Sequence, residues 1–99
     1  MRFGEAIEKA RKGMKIARRA WRGTCMYVYV VESHFIPVDV WKAMMPSQEP
    51  TEAEKELGSV FVDEHFDMMT KRGSRLIGWT PSLSDMMSDD WYVVKEGEQ

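Results

Sequence analysis

The chain has 99 residues, and its 14 Lys and Arg against 16 Asp and Glu give a formal net charge of −2. That length predicts one domain, residues 1–99, with a modest core. No apolar run approaches the ~20 residues that span a membrane, and no apolar signal-peptide segment is present. Cys25 is the only cysteine, so no internal disulfide can form and a cytoplasmic location is expected.

Charge is unevenly distributed along the chain. Residues 1–22 hold eight Lys and Arg against two Glu, a net +6, and the remainder holds six Lys and Arg against fourteen Asp and Glu, a net −8. A basic end can attract small phosphates or contact the acidic part of a second copy, and a solvated helix face explains most of it. Because the total is negative and no basic stripe recurs, polymeric nucleic acid is not an expected partner.

The first predicted element is a helix over Gly4–Lys12, and Gly13 is a natural stop after its last turn. Its apolar residues recur at helical spacing and form one face: Phe3, Ala6, Ile7, Ala10 and Met14.

Two strands are predicted next, over Lys15–Ala20 and Met26–Val31. The first alternates in polarity, which is typical of a half-buried strand. The second is apolar on both faces, which indicates that both faces are covered. Since one helix can hardly cover both sides of a small sheet, we expect a homo-oligomer, a tetramer built as a dimer of dimers.

Residues 32–58 change character because three prolines interrupt the periodicity. Residues 38–45 fit a helical turn or a short strand. Thr51 and Glu54 fit a capping box that starts a short helix ending at Gly58. We interpret this region as a long excursion packed over an edge of the sheet, a lid or an interface arm.

The C-terminal part predicts three more strands, over Val60–Met69, Arg75–Trp79 and Trp91–Lys95, and residues after 96 are expected to fray. A short helix lies before the last strand, with Thr80 as N-cap and Pro81 as first residue. The predicted fold class is therefore α+β, an N-terminal helix packed on an antiparallel sheet of about four to five strands.

A candidate binding site surrounds this short helix. A helix N-terminus offers backbone N–H groups and partial positive charge to an anion. Ser82 and Ser84 add hydroxyl groups, and Trp79 and Trp91 add flat apolar faces. A nucleotide-like ligand needs these parts, although a capped helical turn pinned into a core by two tryptophans explains the same residues.

A second group of candidates follows the first strand. Arg18 and Arg19 lie beside Trp21, and an arginine next to an indole can hold a phosphate while a base stacks on the ring. Salt bridges beside a core tryptophan explain the pattern equally well. Asp85 can accept hydrogen bonds from ribose hydroxyls or interact with the helix dipole.

No catalytic or metal site is expected. The nucleophile and histidine candidates are scattered and form no local motif: Cys25, His34 and His65. Asp63, His65 and Asp67 would share one strand face, where a solvated polar surface is a better explanation than a cation site. Asp89 and Asp90 are adjacent and do not converge on one point. We expect no metal, no cofactor and no enzymatic activity.

Short motifs recur at both ends of the chain in a defined order: Phe3-Gly4-Glu5-Ala6-Ile7, Gly13, Arg18-x-x-Trp21-x-Gly23, Met26-Tyr27, Phe66-Asp67-Met68-x-Thr70 and Trp79-x-x-Ser82-x-x-Asp85-Met86-x-x-x-Asp90-Trp91. In this order and spacing they resemble the second Thoeris anti-defence family of small phage proteins. The resemblance covers residues 1–31 and 65–95. Some family members carry an asparagine where this chain has Arg22 and a glutamine where it has Leu83.

This resemblance implies a non-enzymatic sponge in the cytoplasm of an infected bacterium. Such proteins bind a cyclic ADP-ribose isomer made by the Thoeris defence and hold it uncleaved, and some also bind cyclic dinucleotides at a separate site. They are homotetramers with ligand sites near subunit interfaces. The ligand-binding residues expected here are Trp21, Arg18, Arg22, Trp79, Thr80, Ser82, Ser84 and Asp85.

In this interpretation adenine stacks on an indole, and the pyrophosphate contacts the helix N-terminus and Arg18 or Arg22. Trp91 and Phe3 are expected in the core. Two other functions stay open on the sequence, a phage accessory protein-interaction module without a nucleotide ligand and a nucleotide-hydrolysing enzyme.

Overall fold

The computed structural model describes residues 1–96, so the expected fraying beyond residue 96 lies outside the described residues. In chain order the elements are α1 (Phe3–Arg11), β1 (Ile16–Arg18), a 3₁₀ turn (Arg19–Trp21), β2 (Tyr27–Val31), β3 (His34–Pro37), α2 (Val38–Met44), α3 (Glu52–Leu57), β4 (Ser59–Val62), β5 (His65–Met69), β6 (Arg75–Ile77), α4 (Leu83–Met87) and β7 (Trp91–Val93). The predicted α+β class, with a short helix before the last strand, is confirmed.

These elements form two compact units. The first comprises residues 1–31 and the chain from residue 65 onward, and the second comprises residues 32–64. The single domain predicted over residues 1–99 stays a prediction. Among residues 1–96, no helix is both long enough and apolar enough to span a membrane.

The first unit is built on a five-stranded antiparallel sheet in the order β6-β5-β2-β1-β7. Its central strand β2 places Val28 opposite Met68 of β5 and opposite Ile16 of β1. Because side chains alternate along a strand, these three residues share one face of the sheet. The helix α1 packs on that face, and together they form the buried core: Phe3, Ala6, Ala10, Ile16, Val28, Met68 and Trp91.

The opposite face of this sheet has a different character. Tyr27, Tyr29 and Val31 alternate with Val28 and are half-buried, and Ile77 on the same face is 67% exposed. The second face of β2 is thus only half-buried in the single chain. Its cover by a second copy stays a prediction.

Two predicted strands have different limits in the structure. The strand expected over Lys15–Ala20 ends at Arg18, because the backbone N–H groups of Arg19 and Ala20 turn to bond the carbonyl and carboxylate oxygens of Asp90. The strand expected over Val60–Met69 is wrong as one element. It divides into β4 and β5, which belong to different units and different sheets.

The second unit is more ordered than the predicted excursion. The strands β3 and β4 form a two-stranded antiparallel sheet, with Phe35 opposite Phe61, and β3 was not predicted. Residues 38–44 are helical, so the helical alternative was correct. The Thr51 capping box is confirmed by reciprocal bonds of 2.9 and 3.1 Å with Glu54, and the helix ends at Gly58 with φ 85°.

Candidate functional site

Arg18, at the end of β1, forms ion pairs with two carboxylates far away in the chain. Its Nη1 lies 2.9 Å from Oδ1 of Asp85, and its Nε lies 2.9 Å from Oδ1 of Asp90. The three side chains are only 14%, 13% and 27% exposed. We call these residues the Arg18 cluster. It contains two predicted site residues, Arg18 and Asp85, and one that the sequence interpretation dismissed, Asp90.

The start of α4 differs from the prediction. Ser82, not Thr80, is the N-cap, and the helix begins at Leu83 rather than at Pro81. The N–H of Asp85 donates to Oγ of Ser82 at 3.0 Å, and the N–H of Ser82 donates to Oδ2 of Asp85 at 2.9 Å. This reciprocal capping box gives an acceptor to the backbone N–H groups of both Ser82 and Asp85. Thr80 lies too far before Asp85 in the chain to form it.

The capping box changes the electrostatics at the start of this helix. The Asp85 carboxylate already lies where an incoming anion would bind. Its Oδ2 accepts from the Ser82 N–H and its Oδ1 accepts from the Arg18 guanidinium. Helix α4 is also only five residues long. The backbone of α4 therefore offers little attraction for a phosphate.

All three charges of the Arg18 cluster are stabilised in place. Burial acts to raise the pKa of Asp85, but the Ser82 N–H and Arg18 outweigh it and hold that pKa below its ordinary value of 3.8. The pKa of Asp90 is lowered in the same way, because Arg18 and the Ala20 N–H outweigh burial. Hydrogen bonding to Asp90 leads the causes that raise the pKa of Arg18. With two carboxylates ionised around one guanidinium, the cluster carries a net negative charge.

Three tryptophans pack beside the Arg18 cluster. Trp91 is 1% exposed, while Trp21 and Trp79 are half-buried against the core. Their ring centroids lie 5.2 Å (Trp21–Trp91), 6.2 Å (Trp21–Trp79) and 6.5 Å (Trp79–Trp91) apart, at interplanar angles of 70–85°. We call this the tryptophan cluster. Edge-to-face packing supports each ring from the side and leaves part of Trp21 and Trp79 exposed.

Trp91 connects the two clusters. It lies opposite Arg18 in the β1–β7 register, and its Nε1 donates to the carbonyl oxygen of Asp85 at 2.8 Å. The expected core positions of Trp91 and Phe3 agree with their burial. The structure thereby places Trp21, Trp79, Arg18 and Asp85 in one connected region.

The other predicted site residues are more exposed. Ser82 belongs to the capping box, whereas Ser84, Thr80 and Arg22 lie at the surface. Arg22 directly follows the 3₁₀ turn that carries Trp21. No short-range signal could have identified Asp90, because its partner Arg18 lies 72 positions away. The ligand-binding roles of all these residues stay predictions.

The polar residues 63–67, which the sequence places in one strand, also differ from the prediction. Asp67 is 5% exposed, and its Oδ1 accepts the Gly78 N–H at 3.1 Å and lies 3.3 Å from Nε2 of His65. The expectation of a solvated face is therefore wrong at Asp67, whose carboxylate joins β5 to the end of β6. Within residues 1–96, no group of three or more His, Cys, Asp or Glu is arranged to hold a metal ion.

Comparison with known proteins gives two findings. Residues 1–94 match the Thoeris anti-defense 2-like domain. The chain is also similar to the protein named Thoeris anti-defense 2 of Bacillus phage SP01. The two are 26% identical over 95 residues, which cover 95% of this chain and 94% of the phage protein.

Proposed function

The chain belongs to the family of Thoeris anti-defense 2-like proteins, and from this membership we propose that it acts by sequestration. It binds a cyclic nucleotide signal of the Thoeris defence, a cyclic ADP-ribose isomer, and holds it uncleaved in the cytoplasm of the infected bacterium. The observation that carries this proposal is the pair of partly buried rings, Trp21 and Trp79, packed against the buried Trp91.

Stacking on these rings supplies the apolar part of binding. A base stacked on an aromatic side chain contributes about 1–3 kcal/mol. Because Trp91 and Phe66 pack against Trp79 edge-on, the ring is ordered before the ligand arrives. A preordered platform lowers the entropy lost on binding, which favours tight association.

Polar groups around the rings suit the sugar and phosphate parts of such a ligand. The carboxylate oxygens of Asp85 each retain a lone pair that can accept a ribose hydroxyl, and Ser82, Ser84 and Thr80 contribute hydroxyl groups at the surface. Arg18 is neutralised by two carboxylates. We therefore assign the phosphate contact in this site to the exposed Arg22.

Sequestration places modest chemical demands on a site. It requires tight binding with slow release, whereas catalysis requires interactions that strengthen in the transition state. A rigid aromatic platform bordered by fixed hydrogen-bonding groups meets the first demand.

Retention of the intact ligand tests this function. The purified protein is incubated with the cyclic ADP-ribose isomer, freed of unbound ligand, heat-denatured, and the supernatant is analysed by chromatography and mass spectrometry. We expect unchanged ligand to be released. A chemically altered ligand would instead identify an enzyme, and the absence of uptake would favour the protein-interaction module.

Trp79→Ala is the matching variant, and it is expected to reduce the affinity for the nucleotide at least tenfold, because the stacking surface is lost. Trp41→Ala, in the second unit, removes an equal side chain outside the proposed site and should bind as the wild type does. Thermal melting of both variants shows whether they stay folded. Unchanged affinity in a folded Trp79→Ala variant contradicts the assigned site.

One observation favours the interaction module as a second candidate. Phe35 and Phe61 lie opposite each other on β3 and β4, with ring centroids 5.0 Å apart, and are 59% and 50% exposed. Exposed apolar patches of this kind commonly mark protein-binding surfaces. We assign the function to this surface only if the nucleotide test shows no uptake.

We further propose that the protein assembles as a homotetramer, a dimer of dimers. The half-buried face of Tyr27, Tyr29 and Val31 and the exposed Ile77 are apolar surface that a second copy would cover. Multi-angle light scattering at micromolar concentration should give a mass four times that of the 11.5 kDa chain. A monomer under these conditions contradicts the proposal.

A further inference from the structure

The strand β6 ends in a break of the regular strand pairing. Asp67 of β5 lies opposite Ile77, and a regular antiparallel ladder would next place Phe66 opposite Gly78. Instead the N–H of Trp79, one residue further along, donates to the carbonyl oxygen of Phe66 at 2.7 Å. Two residues, Gly78 and Trp79, therefore oppose one residue of β5, which is the arrangement of a β-bulge. We call it the Gly78 bulge.

Gly78 supplies the backbone conformation that this bulge requires. Its φ is 80°, in the left-handed region that residues with a side chain rarely adopt. A glycine in this conformation at the first bulge position defines one of the common bulge types. Apart from its chain neighbours, no atom lies within 4 Å of a Cβ added at Gly78. The need for glycine therefore comes from the backbone angle and not from crowding.

The side chain of Asp67 takes over a hydrogen bond that the ladder loses at the bulge. The N–H of Gly78 donates to Oδ1 of Asp67 at 3.1 Å, because the Phe66 carbonyl is occupied by the N–H of Trp79. Asp67 is 5% exposed, and a buried carboxylate is costly without hydrogen-bond donors. The carboxylate and the bulge thus stabilise each other.

The Gly78 bulge decides which face of the sheet Trp79 joins. Side chains alternate along a strand, so an unbroken β6 would place Trp79 on the face of Ile77, opposite α1. The extra residue reverses this alternation. The Trp79 ring packs against the core, and its centroid lies 5.8 Å from that of Phe66 and 6.5 Å from that of Trp91. Bulges beside functional sites commonly redirect a side chain in this way.

From this geometry we propose that Asp67 and Gly78 are positioning residues for the nucleotide site. The bulge that they form directs the Trp79 ring into the tryptophan cluster, and its consequence for binding rests on the proposed function, in which Trp79 stacks on the base. Both residues act through Trp79. Substituting either one should therefore lower the affinity for the nucleotide while every group assigned to the ligand stays in the chain.

Near-ultraviolet circular dichroism tests this positioning without any ligand, because its bands report the fixed packing of aromatic side chains. Gly78→Ala should reproduce most of the spectral change caused by Trp79→Phe, although it keeps all four tryptophans. Gly78→Asn should stay closer to the wild type, since asparagine adopts the left-handed conformation more readily than alanine.

Gly58→Ala is the matched control for Gly78→Ala. Gly58 has the same left-handed conformation, with φ 85°, and a Cβ added there likewise meets no atom within 4 Å. It ends helix α3 in the second unit, so the two substitutions impose the same backbone strain at different places. Gly58→Ala should leave the aromatic bands unchanged.

Calorimetric titration with the cyclic ADP-ribose isomer tests the consequence for binding. Gly78→Ala and Asp67→Ala should each weaken binding by about tenfold or more, because the stacking ring is displaced. Asp67→Asn keeps an oxygen that can accept the Gly78 N–H and should recover most of the affinity. Gly58→Ala should bind as the wild type does.

The spectra and the titrations separate this proposal from the proposed function. A folded Gly78→Ala variant with the wild-type spectrum overturns the positioning role, whether or not the nucleotide binds. A wild-type protein that takes up no nucleotide contradicts the proposed function, while the spectra still decide what the bulge does. Where the wild type binds, unchanged affinity in a Gly78→Ala variant with an altered spectrum overturns the link to binding. Melting curves show which variants are folded, and Asp67→Ala compared with Asp67→Asn carries the same spectral prediction should Gly78→Ala unfold.

Discussion

Replacing Trp91 by alanine is expected to lower the free energy of unfolding by about 3–5 kcal/mol, a large part of the about 5–15 kcal/mol typical of a domain. Trp91 is 1% exposed and its ring centroid lies 5.0 Å from that of Phe3. The substitution leaves a cavity between α1 and the sheet. It also leaves the Asp85 carbonyl without the Nε1 donor that bonds it at 2.8 Å.

Urea denaturation followed by circular dichroism measures this loss. The protein concentration is kept constant, because an oligomer is stabilised by mass action. Trp91→Phe keeps an aromatic ring against Phe3 and should recover part of the stability, whereas Trp41→Ala in the second unit should cost much less than Trp91→Ala. A loss below about 1 kcal/mol in Trp91→Ala would show that this ring is not central to the core.

Arg18→Ala is expected to destabilise the fold strongly at neutral pH. Removing one partner of a buried ion pair typically costs about 3–5 kcal/mol, since the remaining charge is left uncompensated. The side chains of the Arg18 cluster are 13–27% exposed, so we expect a loss at the lower end of that energy range. Two carboxylates, Asp85 and Asp90, would remain close together without a cation.

The pH dependence identifies the cause of this loss. The folded pKa values of Asp85 and Asp90 lie below their ordinary value of 3.8. Their stabilising contribution is therefore complete above the unfolded pKa and is lost as the pH falls through the folded pKa. Without Arg18, burial, which raises the pKa of Asp85, is opposed only by the hydrogen bonds of Ser82, so the pKa of Asp85 is higher than in the wild type and protonation relieves the variant at low pH. The difference between wild type and Arg18→Ala should be largest near pH 7 and should shrink toward pH 3.

Urea denaturation across this pH range provides the measurement, with Arg22→Ala as the control. Arg22 is exposed, and its removal should change stability by no more than about 0.5 kcal/mol at any pH. Arg18→Lys keeps the charge but not the forked geometry that reaches both carboxylates, and should fall between wild type and Arg18→Ala. A pH-independent loss in Arg18→Ala would show that side-chain packing, not charge, explains it.

The elements that the sequence predicted well are those specified by neighbouring residues. The helix α1 follows from apolar residues three and four apart, and the helix α3 follows from the Thr51–Glu54 capping box and Gly58. The strand β2 is specified by a short run of β-branched and aromatic residues. In each case the deciding interactions lie within a few positions along the chain, where a linear pattern records them.

The start of α4 shows how a local choice can still be resolved wrongly. The Thr80-Pro81 pair fits an N-cap followed by a proline, and Ser82-x-x-Asp85 fits a capping box. The structure adopts the second, in which Asp85 bonds the Ser82 N–H and also pairs with Arg18. The additional ion pair comes from β1, so the stronger alternative depended on a residue 67 positions away.

By itself, then, the sequence determined the α+β class, the helix and strand types and the presence of tryptophans near a short helix. Only the tertiary structure decided which charges and which rings meet. Arg18 is compensated by Asp85 and Asp90, and the Gly78 bulge directs Trp79 into the tryptophan cluster. Strand register and chain crossover set these distances, and electrostatic interaction depends on distance in space rather than on separation along the chain.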